Sequence, residues 1–485
     1  MAEHLWTSND AAAAVNGQAR GEWTCTGVAI DSREVKADDL FIALKGEKSD
    51  GHGFVASALE RGASAAMVCE KLVGLADDAP VLVVSDTMSG LQSLGQAARA
   101  RVQTEAGATI VAVTGSVGKT GTKEALRTVL ARQGIVHASV RSFNNHVGVP
   151  LSLARMPRAT DFGVFELGMN RPGEIGPLSR MVRPHVAVIT TIEPAHSAFF
   201  PSIEDIARSK AEVFEGLQAG GVAVLNRDNP QFGLLSSLAR EAGVETIIAF
   251  GEHEDADARL LKYRMHHSLS CVSADICGQT ITYKIGIPGR HWIMNSLAVL
   301  GTAAAVGADL GLAGLALADV APLAGRGKRH EVRIDGDKIV VIDESYNASP
   351  ASMRSALAAM AAMHGGEPHR HGRRIAVLGD MLELGDSAAR EHESLAEPVL
   401  EAGVDLVFGV GNNMVRLMET LPRVRRAGHA DSAETIASLV AAQVRPGDLV
   451  MIKGSNALGL NCVVEALVKL GKRRCKPEQI VSGDG

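Results

Sequence analysis

Residues 109–130 constrain the fold more than any other stretch. They open apolar, as Ile110-Val111-Ala112-Val113, then pass through Thr114-Gly115-Ser116-Val117-Gly118-Lys119-Thr120. A helix-like run follows over 123–130, with Leu126, Val129 and Leu130 at helical spacing. Strand, glycine loop and helix in that order make a phosphate-binding loop. Gly115 and Gly118 allow a turn tight enough for amide N–H groups to face phosphate oxygens, and the helix N-terminus adds partial positive charge. Lys119 can reach terminal phosphates, and the Thr120 hydroxyl can ligate Mg2+. The spacing is shorter than in the longer form of the motif, and an ordinary strand-to-helix turn can produce the same string. The flanking strand and helix favour a nucleotide site.

The chain has 485 residues, which at about 150 residues per domain implies three domains. With 46% hydrophobic and 21% charged residues it can bury ample core. A net charge of −6 supplies no broad basic field, so no nucleic-acid partner is expected. The short run Lys472-Arg473-Arg474 reads as a solvated end. The six cysteines (Cys25, Cys69, Cys271, Cys277, Cys462 and Cys475) form no Cys-x-x-Cys pair, so no zinc site is expected. A chain this long has no need of disulfides. Met1-Ala-Glu-His-Leu-Trp6 lacks a basic start followed by an apolar run, and no apolar run reaches the roughly 18 residues of a membrane span. The expectation is a soluble, reduced, cytoplasmic monomer without membrane insertion.

The pattern along the chain divides into units at 1–106, 107–328 and 329–485. The first reads as a small α/β unit with strands at 28–30, 38–44, 65–69 and 81–84 and a helix at 56–61. Asp31, Ser32, Arg33 and the 45–52 segment can bind a polar ligand, although turn chemistry with solvated charges explains the same residues. The second unit alternates strands (109–113, 162–167, 186–191, 221–225, 246–250) with helices. This is a doubly wound, mostly parallel sheet whose ligands gather at strand C-termini. Alternation at Ile281, Tyr283, Ile285 and Ile287 predicts an antiparallel ribbon over 263–287. The third unit, with strands at 338–342, 374–378, 406–410 and 448–452, repeats a Rossmann-like α/β pattern. His364, His369 and His371 lie in a polar stretch interrupted by Gly, Pro and Arg, and read as solvent-exposed.

Several strand ends carry candidate chemistry. Glu166 ends the 162–167 strand and is placed to hold Mg2+, or else to sit in a turn. His196 follows the 186–191 strand, where active-site loops lie, but a lone histidine is as often structural. Lys210 lies in an amphipathic helix over 206–214, where a surface lysine is the ordinary case. Asn295 follows a probable helix start; its amide suits an adenine edge, or a helix cap. Arg326, at the boundary to the third unit, can clamp a terminal phosphate as domains close, or be a solvated linker charge. Asp343 and Lys453-Gly454-Ser455 end third-unit strands, so a two-substrate site completed by closure is expected.

Taken in order, 114–120, Ser142-Phe-Asn-Asn-His-Val-Gly-Val-Pro150, Glu166-Leu-Gly-Met-Asn170, the His196 loop, the Lys210 helix, Gly289-Arg-His with Asn295, Gly325-Arg326 and Asp343-Glu-Ser-Tyr-Asn347 resemble the Mur ligases of peptidoglycan synthesis. The resemblance spans all three units. Asp343-Glu-Ser-Tyr-Asn-Ala-Ser-Pro350 and Gly379-Asp-Met-Leu-Glu-Leu-Gly385 are most similar to the member that joins D-alanyl-D-alanine to UDP-N-acetylmuramoyl-tripeptide. The resemblance implies an α/β three-domain architecture with a central P-loop sheet and ATP and Mg2+ as cofactors. It also implies an acyl phosphate made on the tripeptide carboxylate. ATP would meet Thr114, Gly115, Ser116, Val117, Gly118, Lys119, Thr120, Asn295, Arg326 and Asp343. Mg2+ would be held by Thr120, Glu166, His196 and a carbamylated Lys210. Lys119, Glu166, His196, Lys210 and Arg326 would act in catalysis. The candidate substrate contacts are Asp31, Ser32, Arg33 and Lys45 for the UDP part, with Asn144, Asn145, Tyr346 and Asn347 beyond it. The chain departs from the family pattern at Val117, where many relatives carry Asn, and at Gly121, in the middle of what is often a Thr run. A sibling ligase or a folylpolyglutamate-synthase-like enzyme shares the scaffold, and a nucleotide-binding module without chemistry is a further alternative. A GTPase-type switch is disfavoured because Asn226-Arg-Asp-Asn229 lacks the guanine-reading aspartate.

Overall fold

The computed structural model describes residues 4–46, 49–70, 75–76, 78–140, 142–194, 199–266, 268–363 and 372–474. It is an α/β molecule built on three larger sheets and one two-stranded pair. The first sheet has five strands in the order Gln18–Arg20, Val81–Val83, Ala65–Val68, Asp39–Ile42, Gly27–Ala29, parallel except at the Gln18–Arg20 edge. Sequence reading missed that edge and the Trp6–Thr7/Thr24–Cys25 pair. Segments of two or three residues carry too little alternation to register.

The central sheet has nine strands. Thr109–Thr114 lies between Val186–Ile189 and Phe162–Glu166, and both neighbours run parallel to it. Val111 and Val113 face one core and Ile110 and Ala112 the other, all fully buried. This explains why the strand reads as continuously apolar: helices cover both faces. Lys119–Leu130 and Arg290–Ala305 lie on one side, and Gly148–Ala154, Ile175–Val182 and Ile203–Ala211 on the other. The expected ribbon is larger than predicted. Ala258–Met265, Ser270–Ile276 and Gln279–Ile285 form an antiparallel extension that continues the same sheet. The helix Thr87–Glu105 is shared. Leu91, Leu94 and Ala98 pack into the first core, Val102 joins the central one, and buried Arg99 donates to the carbonyls of Val182 and Arg183 at 2.7 and 2.8 Å.

The third sheet runs Lys328–Ile334, Asp337–Glu344, Leu449–Lys453, Arg374–Gly379, Leu406–Val410, Arg426–Ala430. Only its first pair is antiparallel. The two outer strands were not expected: Lys328–Ile334 is a sheet edge rich in charged residues and Arg426–Ala430 is a short edge of small and polar ones, so burial imposes no apolar run on either. No helix among the described residues is long and apolar enough to cross a membrane.

Candidate active site

The glycine loop leaves the Thr109–Thr114 strand and enters the Lys119–Leu130 helix, which starts four residues earlier than its periodicity suggested. Gly115 has φ 141° and Gly118 has φ 90°, a region closed to most side chains. A Cβ at 115 would lie 2.0 Å from the Thr190 hydroxyl oxygen. Gly118 caps the helix without any side-chain hydrogen bond, so the first-turn amides keep their capacity for an anion. The loop is stitched to the exit of the neighbouring strand. Thr190 Oγ1 donates to the Val117 carbonyl at 2.6 Å, Ser116 N donates to Thr191 O at 2.8 Å, and Ser116 Oγ donates to Glu193 O at 2.9 Å. Lys119 Nζ folds back onto the carbonyls of Gly115 and Ser116 at 2.7 and 3.2 Å. Burial pulls its ammonium below the ordinary lysine range; nearby Glu166 partly restores it and Arg326 opposes it.

Glu166 is the last residue of its strand and 1% exposed, which replaces the turn reading. Thr120 Oγ1 donates to its Oε2 and Asn144 Nδ2 to its Oε1, both at 2.8 Å. A hydroxyl and a carboxylate from two elements are thus side by side at the foot of the loop. These are hard oxygen donors of the kind Mg2+ takes. Lys210 is not a surface lysine: it is 2% exposed on the helix Ile203–Ala211 and has no salt bridge among the described residues. Burial, reinforced by the Lys119 charge, holds its pKa well below the ordinary value. His196 lies outside the described residues, as do His364, His369 and His371.

A cavity of about 580 Å3 opens over the loop and is closed on the far side by the third sheet. Ser116, Val117, Gly118, Lys119, Thr120, Asn144, Glu166 and Asn295 line the near wall; Arg326, Tyr346 and Asn347 line the far one. Asn295 lies in the second turn of Arg290–Ala305, not at its cap, and its amide packs where a Cβ at Gly118 would fall, at 3.1 Å. The Arg326 guanidinium stacks 4.3 Å from the centroid of Tyr346, and the Tyr346 hydroxyl bonds Ser142 Oγ at 2.5 Å, which ties the two walls together.

Two contacts expected at the cavity, Asp343 and Asn145, fall elsewhere. Asp343 is 6% exposed but turned away from the cavity. Its carboxylate accepts from Gly325 N at 2.8 Å and from Ser345 N and Oγ at 3.2 and 2.6 Å, so it braces the turn that carries Arg326. Asn145 accepts from Val147 N and Gly148 N at 3.2 and 2.9 Å and holds the entry to the next helix. Arg33, with Asp31 at 2.6 Å, and Lys45, with Asp50 at 3.5 Å, are largely exposed in the first unit, where contacts to the UDP part are expected. Glu344 and Lys453, 3.7 Å apart, do line the cavity. Burial raises the first pKa and lowers the second. Their pairing follows from the parallel register that sets Glu344 beside Lys453, which no single strand reveals. Trp292 was also missed; its six-membered ring lies over Gly121, where a Cβ would approach it to 2.9 Å. That contact accounts for the glycine at this position.

The chain is similar to known proteins in sequence and in fold. Three family descriptions match along the chain: "Mur ligase family, catalytic domain" over 24–113, "Mur ligase middle domain" over 113–303 and "Mur ligase, glutamate ligase domain" over 328–456. The UDP-N-acetylmuramoyl-tripeptide--D-alanyl-D-alanine ligase of Rickettsia prowazekii is 32% identical over 95% of this chain and 99% of its own. The enzyme of the same name from Bacillus subtilis is 34% identical over 91% and 93%. Among solved structures, MurF from Acinetobacter baumannii superposes with a TM-score of 0.80 at 27% identity, covering 96% of this chain and 99% of that one. MurF ligase from Thermotoga maritima in complex with ADP gives 0.74 at 27%, covering 92% and 98%. The chain is therefore a member of the Mur ligase family, with that family's three-domain α/β architecture.

Proposed function

We propose that this chain is an ATP-dependent ligase that joins D-alanyl-D-alanine to UDP-N-acetylmuramoyl-tripeptide in peptidoglycan precursor synthesis. The observation that carries this reading is the single cavity in which the glycine loop and the Thr120–Glu166 pair face Arg326 from the third unit. Relatives that bear the name of this activity match almost the whole chain. We assign the UDP part to the first unit (1–106), ATP to the second (107–328) and the incoming dipeptide to the third (329–485).

A carboxylate is a poor electrophile, and phosphorylation by ATP makes an acyl phosphate whose phosphate can leave. The dipeptide amine then attacks the carbonyl carbon and inorganic phosphate departs. Lys119 and Arg326 face one another across the cavity and would hold the transferring phosphoryl group, their charges offsetting what accumulates on its oxygens. In this reading Lys119 exchanges its two carbonyl partners for phosphate oxygens. Thr120 and Glu166 would hold Mg2+, with His196 as a further candidate, and the ion supplies charge neutralisation on the phosphates. Lys210 fits that set only once altered, because an ammonium cannot ligate a metal. A buried lysine whose pKa is lowered has the neutral amine that carbon dioxide needs to form a carbamate, which is anionic. Asp343 acts on the nucleotide through the Gly325–Arg326 turn. A monomer in the cytoplasm is the setting we propose.

The test is product formation. With ATP, Mg2+, UDP-N-acetylmuramoyl-tripeptide and D-alanyl-D-alanine, the protein should release one phosphate per ligated peptide. Ligation of a single amino acid to a shorter UDP-peptide instead, or to a folate, would overturn the assignment in favour of a sibling scaffold.

A further inference from the structure

The chemistry outside the main cavity concentrates at the C-terminal edge of the first sheet. Cys69 directly follows the strand Ala65–Val68 and is half-buried. Its Sγ lies 3.4 Å from His52 Nε2, and its backbone amide donates to the same nitrogen at 3.1 Å. An N–H donor requires a lone pair, so Nε2 is the acceptor and the ring proton is on Nδ1. There it donates to Asp50 Oδ1 at 2.6 Å. Asp50 is fixed in turn by the backbone amide of His52 at 3.0 Å. Those two hydrogen bonds from His52, the backbone one foremost, hold its carboxyl below the ordinary range. His52 is 6% exposed. Glu70 adds a second carboxylate within 4.8 Å of the Asp50 and His52 ligand atoms. Thiol, imidazole and carboxylate thus form a relay in which the imidazole can take the thiol proton and two carboxylates stabilise the imidazolium.

The other described cysteines lack this environment. Burial pushes the Cys25 thiol up to about 12, and it also raises Cys277 and Cys462. No histidine bonds any of their sulfurs among the described residues.

We infer that Cys69 is a reactive thiol, open to oxidation by hydrogen peroxide, and that its modification switches off binding at the first unit. The thiol proton passes to His52 Nε2, displacing the Cys69 amide from that nitrogen's lone pair. The thiolate sulfur attacks one peroxide oxygen, the O–O bond breaks, and the departing hydroxide takes the proton back from Nε2 as water. Sulfur is oxidised to the sulfenic acid and the peroxide is reduced. The consequence for binding rests on the reading of the first unit as the UDP-binding one: Asp50, the carboxylate of the relay, is also the partner of the candidate contact Lys45.

The test measures alkylation rates of individual cysteines with iodoacetamide, read by mass spectrometry on the intact chain. Cys69 should react at least tenfold faster than Cys271 and Cys277. His52→Ala should bring it to within threefold of them, and Asp50→Asn, which keeps the shape of the relay, should slow it as well. A wild-type Cys69 no faster than the reference cysteines, or a rate unchanged in Asp50→Asn and in any folded His52→Ala, overturns the inference. These readouts do not involve ligation, so they stand apart from the proposed activity. Hydrogen peroxide with a sulfenic-acid trap tests the second half. The treated enzyme should show at least a tenfold higher KM for the UDP-tripeptide with kcat retained, and Cys69→Ser should be immune. Trapped Cys69 with unchanged KM overturns the switch.

Discussion

Replacing Glu166 by Gln separates stability from chemistry at the foot of the glycine loop. The side chain is 1% exposed and accepts two 2.8 Å hydrogen bonds, from Thr120 and from Asn144. A glutamine of the same shape keeps both. Its amide oxygen accepts from Thr120, and its NH2 meets the Asn144 oxygen once that amide turns over. Two bonds to a charged acceptor, worth about 1.5–3 kcal/mol each, become two neutral ones of about 1 kcal/mol. The cost of burying the charge disappears at the same time, so the net change in unfolding free energy should lie within about 2 kcal/mol. Turnover has no such compensation. Loss of one preorganised charge at a phosphoryl-transfer site removes about 2.7–4 kcal/mol of transition-state stabilisation, or about 10²–10³ in rate. Urea unfolding followed by tryptophan fluorescence reads the first quantity, and phosphate release at saturating substrates over a Mg2+ series reads the second. The half-saturating Mg2+ concentration should rise about tenfold or more. Glu166→Gln turning over within threefold of wild type at low Mg2+ would refute the assignment of this pair to the metal.

Three other outcomes are expected. Lys119→Ala should lose most ligation with folding intact, as judged by circular dichroism alongside phosphate release; wild-type-like turnover would exclude it from phosphoryl transfer. Gly121→Ala should destabilise by about 1–3 kcal/mol despite the better helix former, because its Cβ would meet the Trp292 ring at 2.9 Å. The loss should shrink in a Trp292→Ala background, and thermal unfolding of the four proteins closes the cycle. His137 is held down to about 4, mainly by burial. An unfolded histidine takes its proton near 6.5, so the unfolded state binds more protons between about pH 6.5 and 4. Stability should fall as pH drops through that window, and the slope should flatten in His137→Gln.

What a single stretch of chain can reveal is set by local rules. The Thr109–Thr114 strand, the two glycines and the helix behind them are recognisable because burial on both faces forces a continuous apolar run and because the loop backbone excludes side chains. The sheets of the second and third units were legible for the same reason, whereas the charged edge Lys328–Ile334, the polar edge Arg426–Ala430 and the very short Gln18–Arg20 edge of the first sheet were not. Glu166 and Arg326 were readable as strand-end and turn residues beside motifs. Long-range packing decided the rest. Lys210 carries the pattern of a surface helix but is buried, close enough to the glycine loop to feel the Lys119 charge. Asp343 and Glu344 are adjacent, and strand alternation sends them opposite ways, Asp343 to brace the Arg326 turn and Glu344 to the cavity beside Lys453. Cys69 and His52 are 17 residues apart and meet only because neighbouring parallel strands end at one edge. Sequence alone determined the phosphate loop, the α/β class and the family, since each follows from local backbone preference, hydrophobic period or ordered motifs. Which charged groups share a site was decided only by the tertiary structure, because sheet register and helix packing bring together residues that no local pattern connects.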